Sequence, residues 1–94
     1  PPTILYAEDS GFFRNKVVKF LREEGWQVIA CEDGLEAWEK LNQPTTQLDL
    51  ILTDIEMPRM TGFELCSKVR RESRWKDVPI LAVTSLAADA DRAH

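Results

Sequence analysis

Short apolar runs alternate along this chain with longer amphipathic ones, and that alternation leaves few folds open. Ile4-Leu5-Tyr6-Ala7 is a continuous apolar run, too short for a helix, and reads as a strand buried on both faces. Glu8-Asp9-Ser10-Gly11 breaks it. Residues 12–24 turn helical, with Phe13, Val17, Phe20 and Leu21 on one stripe, and Gly25 is a natural stop. Residues 27–31 read as a second strand and Asp33-Gly34 as a turn. Leu35, Trp38 and Leu41 give the stripe of a short helix that Pro44 ends. Residues 48–53 are a third strand with Asp54 at its carboxyl end, followed by a loop punctuated by Pro58. Residues 62–72 are helical, with Phe63, Cys66 and Val69 spaced by three. Arg70, Arg71 and Arg74 collect at the end of that helix, where cations suit its dipole. Pro79 leads into a fourth strand over 80–84, and residues 87–94 open another helix. The order β-α-β-α-β-α-β predicts an α/β fold: a parallel sheet, helices on both faces, right-handed crossovers.

Ninety-four residues hold one small domain. With 44% hydrophobic and 30% charged residues, the composition is globular. Sixteen acidic against twelve basic side chains give a net charge of −4, so direct nucleic-acid binding is not expected. No apolar run approaches the ~18–20 residues that cross a bilayer, and Pro1-Pro2-Thr3 does not open like a signal peptide. Cys31 and Cys66 sit in apolar segments; two cysteines allow one disulfide, but two buried thiols in a reducing cytosol fit better. The single histidine, His94, is the last residue, so histidine-based catalysis and a Cys/His zinc site are not expected.

In doubly wound sheets ligands bind outside the carboxyl ends of the strands. That rule selects residues directly. The first strand ends at Glu8-Asp9, the third at Asp54, and the fourth at Thr84-Ser85. Carboxylates brought together there raise one another's pKa unless a cation joins them. An oxygen-only set suits Mg²⁺, or Mn²⁺, and magnesium takes phosphate as a further ligand. Thr84 and Ser85 offer hydroxyls to phosphoryl oxygens, and Asp54 offers a nucleophilic carboxylate. Each residue also has a plainer reading. Glu8, Asp9 or Ser10 would cap the next helix, and Asp54 would simply end its strand.

These residues carry a resemblance. Leu48-Asp49-Leu50-Ile51-Leu52-Thr53-Asp54-Ile55-Glu56-Met57-Pro58-Arg59-Met60-Thr61-Gly62-Phe63-Glu64-Leu65 resembles the phosphoacceptor strand, Met-Pro loop and glycine-started helix of bacterial two-component receiver domains. Tyr6-Ala7-Glu8-Asp9-Ser10 is similar to that family's acidic pair, Asp33-Gly34-Leu35-Glu36-Ala37 to its Asp-Gly turn and helix, and Pro79 to Ser85 to its hydroxyl-bearing strand. The resemblance implies a flavodoxin-like sheet of strand order 2-1-3-4(-5). It implies that Asp54 accepts a phosphoryl group from a kinase phosphohistidine. Glu8, Asp9, Asp54 and the backbone carbonyl of Glu56 would hold Mg²⁺. Thr84 would bind the phosphoryl group and report it to a distant surface, Ser85 would leave it accessible, and the Glu56 side chain would tune dephosphorylation. The implied partners are a histidine kinase or phosphotransfer domain and an output or adaptor domain. The Asp-Ile-Glu-Met-Pro-Arg-Met and Thr-Ser-Leu stretches look most like chemotaxis-type receivers, some of them fused to a histidine kinase.

The family's fifth strand, its lysine and its fifth helix have no counterpart in residues 1–94, so this single domain is expected to be incomplete at its C-terminus. Lys16, Lys19, Lys40, Lys68 and Lys76 fall on helices or before a strand, and none takes that lysine's place. An open fourth-strand edge would invite pairing with a second chain, and uncovered apolar surface would lower stability. Two other functions remain in competition: a receiver-like binding module that transfers no phosphate, and a small Mg²⁺-dependent phosphatase with Glu56 as its second acid. Trp38 is expected in the core, Trp26 half-buried, and Trp75 exposed in a charged loop. Arg70, Arg71, Arg74 and Lys76 read as a solvated helix end.

Overall fold

The computed structural model describes residues 1–83. Thr84, Ser85 and the expected helix over 87–94 lie outside the described residues. The elements are β1 (Thr3–Ala7), α1 (Gly11–Glu23), β2 (Gln27–Cys31), α2 (Gly34–Leu41), β3 (Leu50–Asp54), α3 (Gly62–Arg71) and β4 (Ile80–Val83). All strand pairs are parallel, and the order is β2-β1-β3-β4, as the resemblance implied. Strand order reverses direction after β2, so right-handed crossovers put α1 on one face and α2 and α3 on the other.

The two faces are unequal. Successive side chains of a strand alternate between faces. Leu5 and Ala7 of β1 and Ile51 of β3 join Cys31, Ala37, Leu41, Leu65 and Val69 in the main core beneath α2 and α3. Ile4 and Tyr6 point the other way and are also buried, but Val18 is the one buried residue of α1. Phe13, Val17 and Leu21 are only half-buried, and Phe20, expected on the same stripe, is 59% exposed. The stripe is real, but it turns away from the sheet at Phe20. In α3 the buried positions are Gly62, Leu65 and Val69, so Phe63, expected on the apolar face, lies at the surface.

Local chemistry fixes the helix starts. Ser10 caps α1 by accepting from the Phe13 N–H, Asp33 caps α2 by accepting from Glu36 N–H, and Thr61 with Glu64 forms a capping box on α3. β3 begins at Leu50 rather than Leu48. The Asp49 carboxylate accepts from the Thr3 N–H at 2.8 Å, which ties the entrance of β3 to the entrance of β1 before the ladder begins.

Trp75 corrects an expectation. It is 5% exposed and belongs to the core. The charges around it do not pull it into solvent, because the backbone consumes them. Arg70 donates to the carbonyls of Trp75, Lys76 and Val78, and Arg74 to those of Leu41, Pro44 and Thr46. The loop is thereby folded back onto the α2 side, and the Arg74 guanidinium lies 4.3 Å from the centre of the indole ring. Trp38 packs on the core and Trp26 is half-buried, as expected. Cys31 is buried, Cys66 is half-buried, and both are free thiols.

Gly62 is where helix and strand come closest. A methyl group there would overlap the carbonyl oxygen of Asp54 and sit 2.9 Å from the Ile55 Cα. Both neighbours are backbone and cannot swing aside. Gly62→Ala should therefore destabilise the chain by about 2–3 kcal/mol, the cost of overpacking a site that cannot relax. Urea unfolding measures it, and a loss under about 0.5 kcal/mol would show that α3 can shift freely.

Candidate functional site

The ladder register builds the site. Ala7 of β1 lies opposite Thr53 of β3. The next residues, Glu8 and Asp54, therefore leave the sheet at the same level, and Asp9 follows. One ligand oxygen from each of Glu8, Asp9 and Asp54 lies within 4.8 Å of the others. Two of the three are buried: Asp54 is 0% and Glu8 3% exposed, while Asp9 faces solvent.

Hydrogen bonds fix the frame but not the centre. Glu8 is held by its N–H to the Cys31 carbonyl, by one carboxylate oxygen accepting from Ser10 N–H at 3.0 Å, and by its own carbonyl accepting from Arg14 at 2.8 Å. The Ile55 N–H donates to Val83 O, and Thr53 Oγ1 to the Asp54 carbonyl. Both side-chain oxygens of Asp54, by contrast, are buried without a hydrogen-bond donor. A buried charge left in that state is very costly. The groups respond as expected. Burial pushes the Glu8 carboxyl up to about 7, with Asp9 and Asp54 adding to it. Burial likewise raises Asp54, outweighing the downward pull of the nearby Glu8 carboxyl and of the Ile55 and Glu56 backbone N–H groups, which lie outside good hydrogen-bond geometry, and the charge of Asp9 adds to the rise. Tyr6, beneath them, is pushed up to about 12 by burial and by the charges of Glu8 and Asp54.

Orphaned carboxylate oxygens, no nitrogen or sulfur donor, and one acid open to solvent together fit a hard divalent cation that keeps part of its water shell. Ser10, not Glu8 or Asp9, caps α1, and Asp54 ends its strand with its carboxylate turned into the acidic cluster. Glu56 lies in the loop after β3 with its side chain at the surface. Thr84 and Ser85, the expected hydroxyls, lie outside the described residues.

Sequence reading missed the supports of this site. Asp33 looked like part of a turn but is a buried cap paired with Arg59. Met57 and Met60 looked like loop residues but are buried in the main core. Arg14, which nothing in the sequence singled out, grips the Glu8 carbonyl. The capping signatures Asp33-Gly34-Leu35-Glu36 and Thr61-Gly62-Phe63-Glu64 were readable cues for two of the loop boundaries.

The response regulator receiver domain family matches residues 4–94. The chain belongs to that family. The Helicobacter pylori chemotaxis protein CheY1 is 36% identical over 89 residues, covering 94% of this chain and 71% of that protein. A segment of the Helicobacter pylori sensor histidine kinase CheAY is 37% identical over 89 residues, which is 95% of this chain and 11% of that kinase. The structure of the Vibrio cholerae chemotaxis response regulator CheY4 superposes with a TM-score of 0.81 at 34% identity, covering 96% of this chain and 76% of that one. The receiver domain of a Pseudomonas aeruginosa sensor histidine kinase superposes at 0.80 with 29% identity, covering 99% of this chain and 75% of that one. That structure has a magnesium ion coordinated in its active-site cleft. The receiver fold and a place in two-component phosphorelay signalling follow. Among the described residues no helix is long and apolar enough to cross a membrane.

The shifted carboxyls make stability depend on pH. Glu8 holds a proton in the folded receiver up to about 7, whereas the unfolded chain releases it near 4.5. Its contribution is complete below the lower value and is lost as pH climbs through the upper one. With divalent cations chelated, stability should fall by on the order of 3 kcal/mol across that window relative to Glu8→Gln, which has no proton to lose there. Thermal unfolding of both proteins from pH 4.5 to 8 checks it. Parallel profiles would mean that Glu8 is not held neutral.

Proposed function

We propose that the receiver takes a phosphoryl group on a side-chain oxygen of Asp54 from the phosphohistidine of a histidine kinase or phosphotransfer domain, and that this changes its contact with an output or adaptor domain. The observation that supports this most directly is Asp54 itself: fully buried, orphaned at both oxygens, and beside two further acids. Glu8, Asp9, Asp54 and the Glu56 backbone carbonyl would hold Mg²⁺ or Mn²⁺, which when bound neutralises the clustered carboxylates and the incoming phosphoryl oxygens.

The chain's own groups then do the following. A carboxylate oxygen of Asp54 forms the new P–O bond while the P–N bond to the donor imidazole breaks. The departing nitrogen keeps the bonding pair. Burial leaves the Asp54 oxygens free of competing donors. Thr84 donates its hydroxyl to a phosphoryl oxygen, and the small Ser85 leaves that group accessible. Little covalent assistance is needed, because phosphoryl transfer depends mainly on alignment and charge neutralisation. Similarity to the CheY proteins and to CheAY supports a chemotaxis-type receiver acting in the cytoplasm, free or joined to a kinase.

Incubation of the chain with acetyl phosphate and Mg²⁺ should add one phosphoryl group that hydroxylamine removes, as expected of an acyl phosphate. Asp54→Asn and chelation of the metal should each abolish the adduct. An adduct that survives Asp54→Asn would overturn the assignment. Mg²⁺ binding without any adduct would make the chain a binding module, and continuous release of phosphate from a simple ester would make it a phosphatase.

A further inference from the structure

The loop between β3 and α3 carries Glu56 at one end and a backbone oddity at its tip. Arg59 has φ 66°, the left-handed region that suits glycine. Met60 N–H donates to Pro58 O at 2.7 Å and closes a tight turn around it. A side chain kept at such a position needs an interaction that compensates the strain. Arg59 has one. Its Nε donates to Asp33 Oδ2 at 2.7 Å, and a terminal guanidinium nitrogen reaches the same oxygen. The other oxygen of Asp33 accepts from the Glu36 N–H at 2.8 Å. Burial alone would raise the Asp33 carboxyl, but the Glu36 N–H and the Arg59 guanidinium outweigh it and hold it below the usual range.

The contact continues through the backbone. A methyl group on Gly34 would overlap the Met60 carbonyl, so the first turn of α2 lies directly against the loop. The loop is thus fixed at three heights. Gly62 N–H bonds to Ile55 O at its base, Met57 and Met60 are sunk in the core, and Arg59 is tied to Asp33 at the tip. Glu56 sits between the base and the first sunk methionine.

We propose that Asp33 and Arg59 are positioning residues for the acidic site: the ion pair across the β2–α2 and β3–α3 loops sets the backbone of residues 55–61 so that Glu56 presents its carbonyl toward the acidic cluster. Neither residue touches the reacting atoms. The inference rests on the phosphoacceptor reading of that cluster. It predicts that the pair acts as a unit on metal affinity, not merely on stability.

The test uses the whole chain with Asp33→Asn, Arg59→Gln, the double variant and Arg59→Lys. Asparagine caps a helix as well as aspartate does, so Asp33→Asn keeps α2 while removing the charge. Mg²⁺ affinity is measured by calorimetry, and amide hydrogen exchange is followed over residues 55–62. Each single variant should weaken Mg²⁺ by about tenfold, the lower end for a group that orients a ligand at one remove. The double variant should be no weaker than the singles, Arg59→Lys should recover part of the loss, and exchange should quicken in the loop but not in β1 or α1. Affinity within twofold of the parent, or losses that simply multiply, would overturn the proposal even where the melting temperature drops. If the parent itself binds no Mg²⁺, the metal reading fails instead. Loop exchange then decides the clamp alone: acceleration upholds it and unchanged rates overturn it.

Discussion

Everything at the functional end of this receiver depends on one electrostatic conflict. Parallel pairing of β1 and β3, with Ala7 opposite Thr53, delivers Glu8 and Asp54 to the same level of the sheet. The apolar core beneath them excludes the water that would otherwise solvate their charges. Neither carboxylate can be moved without moving a strand. The conflict is therefore carried by the protons, and both groups are pushed upward. A fold selected only for stability would place an apolar side chain at Asp54, because an unpartnered buried carboxylate weakens the structure that holds it. Its presence at the centre of the sheet is an argument for chemistry in its own right.

The surroundings hold that conflict in place rather than relieving it. Hydrogen bonds to Glu8 come from Ser10 and Arg14 and fix its backbone and one oxygen, leaving the other side turned to the cluster. Gly62 lets α3 press on the Asp54 carbonyl, and Gly34 lets α2 press on Met60. The dense side of the molecule, under α2 and α3, is the side to which the loop after β3 is anchored. The α1 side, with fewer buried residues, carries only the acidic pair that precedes the helix.

The sequence made the fold legible because hydrophobic period and strand length are local. Among the described residues, four strands, three helices, their order and the carboxyl-edge cluster of Glu8, Asp9 and Asp54 could be read from spacing and from one topological rule. The boundaries moved by one or two residues, as at Leu50, where a side-chain bond from Asp49 takes over from the ladder. What could not be read was the destination of long charged side chains. Arg70 and Arg74 looked solvated but are spent on backbone carbonyls, so Trp75 is buried where charge density suggested exposure. Asp33 and Arg59 are 26 positions apart, and no periodicity links them. Phe20 and Phe63 fit their helical stripes but lie at the surface, because a stripe predicts a face and not how far the neighbouring layer extends.

Charge counting explains why the arrangement suits phosphate at all. A phosphoryl group on Asp54 replaces one negative charge with about two and brings acceptor oxygens into a site that already strains against its own acids. Without compensation the modified state would be worse than the unmodified one, and transfer would run toward the donor. With a divalent cation among Glu8, Asp9 and Asp54, both states are compensated, and the difference between them comes down to donors that reach the phosphoryl oxygens. Such donors must come from outside the carboxylate cluster, since the cluster offers only acceptors. β4 lies on the far side of β3 from β1, so a donor following it would approach Asp54 from the side opposite Glu8 and Asp9. A donor that stabilised the phosphorylated state would then shift with it, which would carry a charge at the sheet edge to the surface.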